Sequence, residues 1–178
     1  ATIIHEARRR GVEVRPPCLC DGRRICTTED TTASGQPALR IGWRHIRGVG
    51  ERTLDRLEGA QVLSPFTSIA DVVERVALTR AESLQLARAA AFGAWEPDRR
   101  RAAWEALRAV GDNLPLAPAH RFRYDPRELD ERELIFLDYQ ATGICVTGHP
   151  MEHVRERLCK AGIVASRDIQ GLRDGQRV

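Results

Sequence analysis

The part of the sequence best suited to chemistry is a short stretch with two glycines, "RHIRGVGERTLDRL" at residues 44–57. Gly48 and Gly50 flank Val49, and the residues that follow have helical spacing. Glycine reaches positive φ at little cost and lets a ligand come close to the backbone. The first N–H groups of a helix have no partner within it and carry the positive end of its dipole. The stretch therefore predicts a loop at a helix start that binds a phosphate group.

Side chains around the two glycines complete this candidate site. Arg47 and Arg52 bring positive charge, Thr53 brings a hydroxyl, and Val49 is expected to anchor the loop in the core. The residues assigned to phosphate binding are Arg47, Gly48, Val49, Gly50, Glu51, Arg52 and Thr53. The alternative is a tight turn between two helices, in which the glycines only end the first helix.

The order of residue types from Ile46 to Leu54 favours the phosphate site. It reads apolar, any residue, Gly, apolar, Gly, two polar residues, Thr and apolar. This order resembles the helix-hairpin-helix motif of DNA-binding proteins that do not read sequence, with Leu54 where that family often has alanine. The resemblance implies contacts to the DNA backbone and none to the bases. Because one such motif makes few phosphate contacts, we expect weak and strongly salt-dependent binding.

Composition indicates a helical protein with a small aromatic content. Of the 178 residues, 42% are hydrophobic but only 5% are aromatic, so Leu, Ile, Val and Ala must fill the core. The net charge of +3 is compatible with a nucleic-acid partner without establishing one.

No apolar run is long enough to span a membrane and no signal peptide is visible, so we expect a cytoplasmic protein without a membrane partner. The chain starts inside a predicted helix and ends just after a turn signal, as expected for a segment of a longer protein.

Periodic apolar residues and helix-end signals predict a mainly α fold, with an α+β N-terminal edge and short β elements at both ends. Ser68 and Thr79 each have an acidic residue three positions later, which is typical of a helix start. Glycines predict the helix ends at Gly11, Gly93, Gly111, Gly143 and Gly162. Short extended segments are predicted at residues 12–17, 23–30, 38–42 and 143–148, with the first two pairing.

Segments along most of the chain resemble, in order, the C-terminal half of bacterial C-family DNA polymerases of the DNA polymerase III alpha type. They include "EARRRGVEVRPP", "ALRIGWRHIRGVG", "FTSIADVVERV", "LARAAAFGAW" and "RDIQGLRDGQRV". Within that family, "DYQATGICVTGHP" and the tryptophan of "RRAAWEAL" are most similar to the error-prone branch, which acts in damage-induced mutagenesis and translesion synthesis. A replicative alpha subunit is the alternative.

The resemblance implies four regions. Residues 1–40 correspond to the end of the fingers, and residues 41–110 to a tandem helix-hairpin-helix domain that binds DNA. Residues 111–165 correspond to a helical connector, and residues 166–178 to the start of a truncated OB-fold domain.

Two further features of the middle region bear on DNA binding. The run "AAAFG" stands where the family often has Gly-Ala-Phe-Asp, and the differences at Ala90 and Gly93 put the phosphate contact of the second hairpin in doubt. Arg99 and Arg100 are weaker candidates for DNA contact, because a basic run at a helix start is equally typical of a solvated face.

The resemblance implies polymerase activity for the parent protein and none for this segment. In the family, carboxylates of the upstream palm domain hold two metal ions, expected to be Mg²⁺, for nucleotidyl transfer. The acidic residues here do not match them, so we assign no catalytic residue, metal site or cofactor to this chain. The expected partner is duplex or primer-template DNA. A sliding clamp and mutagenesis accessory proteins are expected through the parent.

The sequence leaves two other functions open. The chain can be a structural or partner-docking segment with no DNA affinity of its own. It can also hold zinc through Cys18, Cys20 and Cys26, although their spacing lacks the usual two-residue gap and a clear fourth ligand.

Overall fold

The structure, a computed structural model, describes residues 2–30, 37–112, 125–164 and 171, and most of these residues are helical. The helices are α1 (Thr2–Arg9), α2 (Glu51–Leu63), α3 (Ile69–Val76), α4 (Arg80–Arg88), α5 (Arg99–Asp112), α6 (Glu131–Thr142) and α7 (Glu152–Lys160), with a 3-10 turn at Trp43–His45. The strands are β1 (Val14–Arg15), β2 (Thr27–Glu29) and β3 (Ala38–Arg40). The mainly α fold with β structure at its N-terminal edge is confirmed. The β element predicted within residues 166–178 lies outside the described residues.

The three strands form one small sheet in the order β1-β3-β2. Strand β3 runs parallel to β1 and antiparallel to β2, so the predicted direct pairing of the first two strands is wrong. Contacts between distant segments accompany this order, which local sequence patterns do not reveal: the carboxylate of Glu29 accepts hydrogen bonds from Arg40 and Arg15 across the sheet. The hydrogen bond from Arg40, followed by that from Arg15, outweighs burial and lowers the pKa of Glu29.

Helices α2 to α5 surround the main hydrophobic core. Helix α5 packs on α3 and α4, and α2 packs on α3. Trp43 is fully buried just before α2, and its indole Nε1–H donates to the carbonyl of Cys18 at 2.8 Å. The largest fully buried side chains are otherwise mostly aliphatic, as the low aromatic content predicts; they include Leu19, Ile41, Leu54, Leu57, Ile69, Val72 and Leu86, together with Phe92.

Helix boundaries follow the predicted cap signals more closely at the start of helices than at their ends. The hydroxyl of Ser68 accepts from the backbone N–H of Asp71 at 3.1 Å, and Thr79 and Glu82 form a full capping box. Helix α2 continues through the exposed Gly59 to Leu63. Helix α4 ends at Arg88, before the predicted Gly93.

The segment predicted as extended at residues 143–148 is a loop without a strand partner among the described residues. The carboxylate of Asp138 in α6 accepts from the backbone N–H groups of Val146 at 2.8 Å and Thr147 at 3.0 Å. These side-chain bonds take the place of a strand ladder. No helix in the described part of the chain is long and apolar enough to cross a membrane.

Candidate nucleic-acid interface

The two-glycine stretch forms a sharp turn between the 3-10 turn and α2. Gly48 has φ +80°, a value that favours glycine, while Gly50 is the N-cap of α2 with an ordinary φ of −83°. Between them, Val49 is 8% exposed and belongs to the main core. Both glycines and Arg47 remain exposed. Val49 therefore anchors the loop in the core, while the glycines directly before and after it are exposed.

The start of α2 has no side-chain cap among the described residues. The starts of α3, α4 and α6 differ, because Ser68, Thr79 and Asp130 accept hydrogen bonds from their first-turn N–H groups. A Cβ built on Gly50 has no heavy atom within 4 Å among the described residues. The N–H groups of Glu51 and Arg52 make no hydrogen bond with any described residue, whereas that of Thr53 donates to the carbonyl of Gly50 at 3.0 Å. The start of α2 therefore leaves N–H groups available to an anion.

The segment predicted to form a second hairpin has a different helix start. Helix α5 is capped by Asp98, whose Oδ1 accepts from the N–H groups of Arg100 at 2.9 Å and Arg101 at 2.8 Å. A carboxylate thus already occupies the place that a phosphate would take. Ala90, in the turn between α4 and α5, has φ +61°, a conformation that glycine adopts at lower cost than alanine. Both observations agree with the doubt raised from the sequence about this hairpin.

Charges around α2 leave one arginine available beside the loop. Arg52 is exposed and makes no ion pair with any described residue. Glu51 would repel a phosphate, but it pairs with Arg24. Arg24 also donates to Asp55 at 2.6 Å and to Glu58, and these hydrogen bonds raise the pKa of Arg24. One guanidinium therefore counters three carboxylates on the exposed face of α2.

Arg47 has partners within the protein that the sequence did not reveal. Its backbone N–H donates to the carbonyl of Ala141 at 2.7 Å, and its Nη1 lies 3.3 Å from the carbonyl of Tyr139 and 3.4 Å from that of Gln140. The guanidinium also lies 5.9 Å from the centre of the Tyr139 ring. Arg47 therefore caps the end of α6, although its side chain stays exposed.

Thr53 does not offer its hydroxyl to a ligand in this structure. The residue is 3% exposed, and its hydroxyl donates to the carboxylate of Glu82 in α4 while accepting from Arg56 at 3.1 Å. The predicted phosphate contact of Thr53 stays a prediction, and the hydroxyl bonds within the protein here. The contact instead ties α2 to α4.

The two weaker candidates at the start of α5 also have internal partners. Arg99 is 8% exposed, pairs with Asp138 at 2.6 Å and donates to the carbonyl of Arg88 at 2.9 Å. Because a buried and paired guanidinium does not face a phosphate, the expected DNA contact at Arg99 is not carried further. Arg100 is only partly exposed and pairs with Glu133 at 2.9 Å, which weakens the same expectation for it.

Sequence reasoning missed Gln85 of α4, which lies against the hairpin. A Cβ placed on Gly48 would lie 3.0 Å from Cγ of Gln85 and 3.7 Å from its Nε2. No local pattern signals this neighbour, because the contact joins residues 37 positions apart through the packing of α4 beside α2.

The cysteines give the zinc alternative no support. Among the described residues, no three His, Cys, Asp or Glu side chains lie together as a metal-binding group. Cys26 Sγ accepts the backbone N–H of Gly42 at 3.4 Å, and Cys18 is buried. Burial raises the pKa of the Cys20 thiol to about 11.

Comparison with known proteins agrees with this geometry. A family model described as "Helix-hairpin-helix motif" matches residues 11–102, which is more than half of the chain. The chain is 33% identical to error-prone DNA polymerase 2 of Rhizobium meliloti, with 99% of the chain and 17% of that protein covered. It is 34% identical to the error-prone DNA polymerase of Brucella abortus, with 100% of the chain and 17% of that protein covered. The corresponding protein of Anaeromyxobacter dehalogenans is also 34% identical, with 97% and 16% covered.

These relatives are much longer than the chain, which spans about a sixth of their length. The similarity runs through the hairpin and continues beyond residues 11–102 along the rest of the chain. The chain belongs to the helix-hairpin-helix family and is homologous over nearly its full length to one segment of the C-family error-prone DNA polymerases.

Proposed function

We propose that this chain is a sequence-independent DNA-binding segment of an error-prone DNA polymerase. It binds the phosphate backbone of duplex DNA through the turn at residues 48–52. The observation that carries this proposal is the start of α2, which is uncapped among the described residues and open to solvent at Gly50 within a helix-hairpin-helix match. Backbone N–H groups and the helix dipole attract a phosphate there, and Arg52 adds a charge.

The same proposal assigns no nucleotidyl transfer to the chain by itself. The carboxylates and Mg²⁺ ions needed for that reaction belong to the remainder of the parent polymerase. The parent's role is proposed to be synthesis across damaged templates, supported by the "error-prone" names of its relatives. The segment then binds the DNA and extends the time for which the template stays bound to the polymerase.

Gly50→Glu provides the test with least disturbance of the fold. Gly50 has ordinary φ and open space around its Cβ position, so the substitution leaves the turn intact while placing a carboxylate where the phosphate binds. Gly59→Glu is the matched control, since Gly59 lies on the same helix, is also exposed and also has open space. Both variants change the net charge equally.

Binding of a labelled duplex is measured for the wild type and both variants at low salt. We expect Gly50→Glu to weaken binding at least about tenfold, because an electrostatic contact is replaced by repulsion, and Gly59→Glu to change it only slightly. Equal weakening by both variants would assign the effect to net charge alone. A wild-type chain that does not bind DNA at low salt would favour the structural or partner-docking role.

A further inference from the structure

We infer that helix α6 is part of the DNA-binding unit and that Arg47 is the positioning residue that joins it to the hairpin. This inference rests on the proposed function, because it concerns how the same turn is held ready for a phosphate. It extends the unit past residue 102, where the helix-hairpin-helix match ends, to Gly143 in the connector.

The first support is the number of contacts that converge on Arg47. Its backbone N–H and its guanidinium together reach three successive carbonyls at the end of α6, those of Tyr139, Gln140 and Ala141. These carbonyls lie at the negative end of the helix dipole, where a guanidinium is favourable. The carbonyl of Tyr139 also accepts from the backbone N–H of Gly143 at 2.9 Å. The residue directly before Gly48 is thereby fixed at both main chain and side chain.

The second support is the fit of Gly143, which follows α6. It has φ +74°, and a Cβ at this position would lie 2.9 Å from Nη2 of Arg47. The end of α6 therefore leaves just enough room for the guanidinium. A side chain at position 143 would require the guanidinium of Arg47 to move away from the end of α6.

The third support is that α6 is itself firmly held. Asp138, which directly precedes the three residues whose carbonyls Arg47 contacts, pairs with the buried Arg99 of α5 and accepts from Val146 and Thr147. Because α6 is fixed to the main helical unit, its end can act as a rigid support. A turn fixed before binding loses less freedom when it takes up a phosphate, which strengthens binding.

Gly143→Ala tests the inference without changing any residue of the turn. Its matched control is Gly162→Ala after α7, where φ is +80° and no described heavy atom lies within 4 Å of a Cβ. Both variants impose the same backbone strain, but only the first collides with Arg47. We expect Gly143→Ala to weaken duplex binding roughly 3- to 30-fold and Gly162→Ala to leave it unchanged.

Two readouts separate positioning from the alternatives. Arg47→Gln should weaken binding while the salt dependence of binding stays the same. If the slope of log affinity against log salt concentration falls by about 1, Arg47 is a direct phosphate contact and the inference is overturned.

Amide exchange at residues 48–52 without DNA should be faster in Gly143→Ala than in Gly162→Ala. Equal exchange in both variants would overturn the inference even if the wild type binds DNA, while faster exchange in a chain that binds no DNA would contradict only the proposed function.

Discussion

Gly48 and Gly50 contribute to the turn in different ways. Gly48 supplies the positive φ, and Gly50 supplies open space at the helix start. The sequence indicated that both glycines matter, because their spacing matches the motif. It did not separate the two roles, since φ and the neighbouring atoms depend on how Gln85 and the core pack around the turn.

Ala90 allows a test of backbone strain away from the binding turn. An alanine at φ +61° is strained, so Ala90→Gly should raise the free energy of unfolding by about 1 kcal/mol. Chemical denaturation measures the change. The control is Ala103→Gly within α5, which should lower the same free energy by about 1 kcal/mol. A loss of stability in Ala90→Gly would show that the turn is not strained.

At the scale of elements, helix starts were predictable and long-range pairings were not. The caps at Ser68 and Thr79 are local patterns of four residues, and the structure confirms both. The order of the strands depends on contacts between distant segments, so the pairing predicted from proximity in sequence was wrong. The internal partners of Arg47, Thr53 and Arg99 were missed for the same reason. Each partner lies on a helix that is distant in sequence: α6 for Arg47 and Arg99, and α4 for Thr53.

The Arg99–Asp138 pair should be the strongest single link between α5 and α6. Asp138→Ala leaves a buried guanidinium unpaired and two loop N–H groups without their acceptor, so it should cost about 3–5 kcal/mol of unfolding free energy. Arg100→Ala, which breaks the partly exposed pair with Glu133, should cost less than about 1 kcal/mol. Similar losses in the two variants, measured by chemical denaturation, would contradict this ranking.

The contact between α2 and α4 should weaken in acid. Burial alone would raise the pKa of Glu82, but hydrogen bonds from Thr53 and Thr79 and the charge of Arg56 hold it below the ordinary value of 4.5. A lowered folded-state pKa contributes stability that is present above the unfolded value and is lost as pH falls through the folded value. The stability difference between wild type and Glu82→Gln should therefore shrink as pH falls from about 6 to about 3. A constant difference in denaturation experiments across that range would contradict the assignment.

At the scale of the whole molecule, the net charge is modest, so DNA binding depends on where the unpaired positive charges lie. The net charge is only +3, and many arginines are paired with carboxylates inside the fold. Strong general attraction to DNA is therefore not expected. Binding should instead come from one turn in which Arg52 and the open start of α2 face solvent, supported by α6.

The most direct measurement is a titration of the wild-type chain with two duplexes of unrelated sequence at two salt concentrations. With two or three phosphate contacts, affinity should fall about 10- to 40-fold between about 50 and 200 mM salt. Because no base is read, the two duplexes should bind equally at each salt concentration. Binding that is insensitive to salt, that clearly prefers one sequence, or that is absent at low salt would contradict a backbone-binding hairpin.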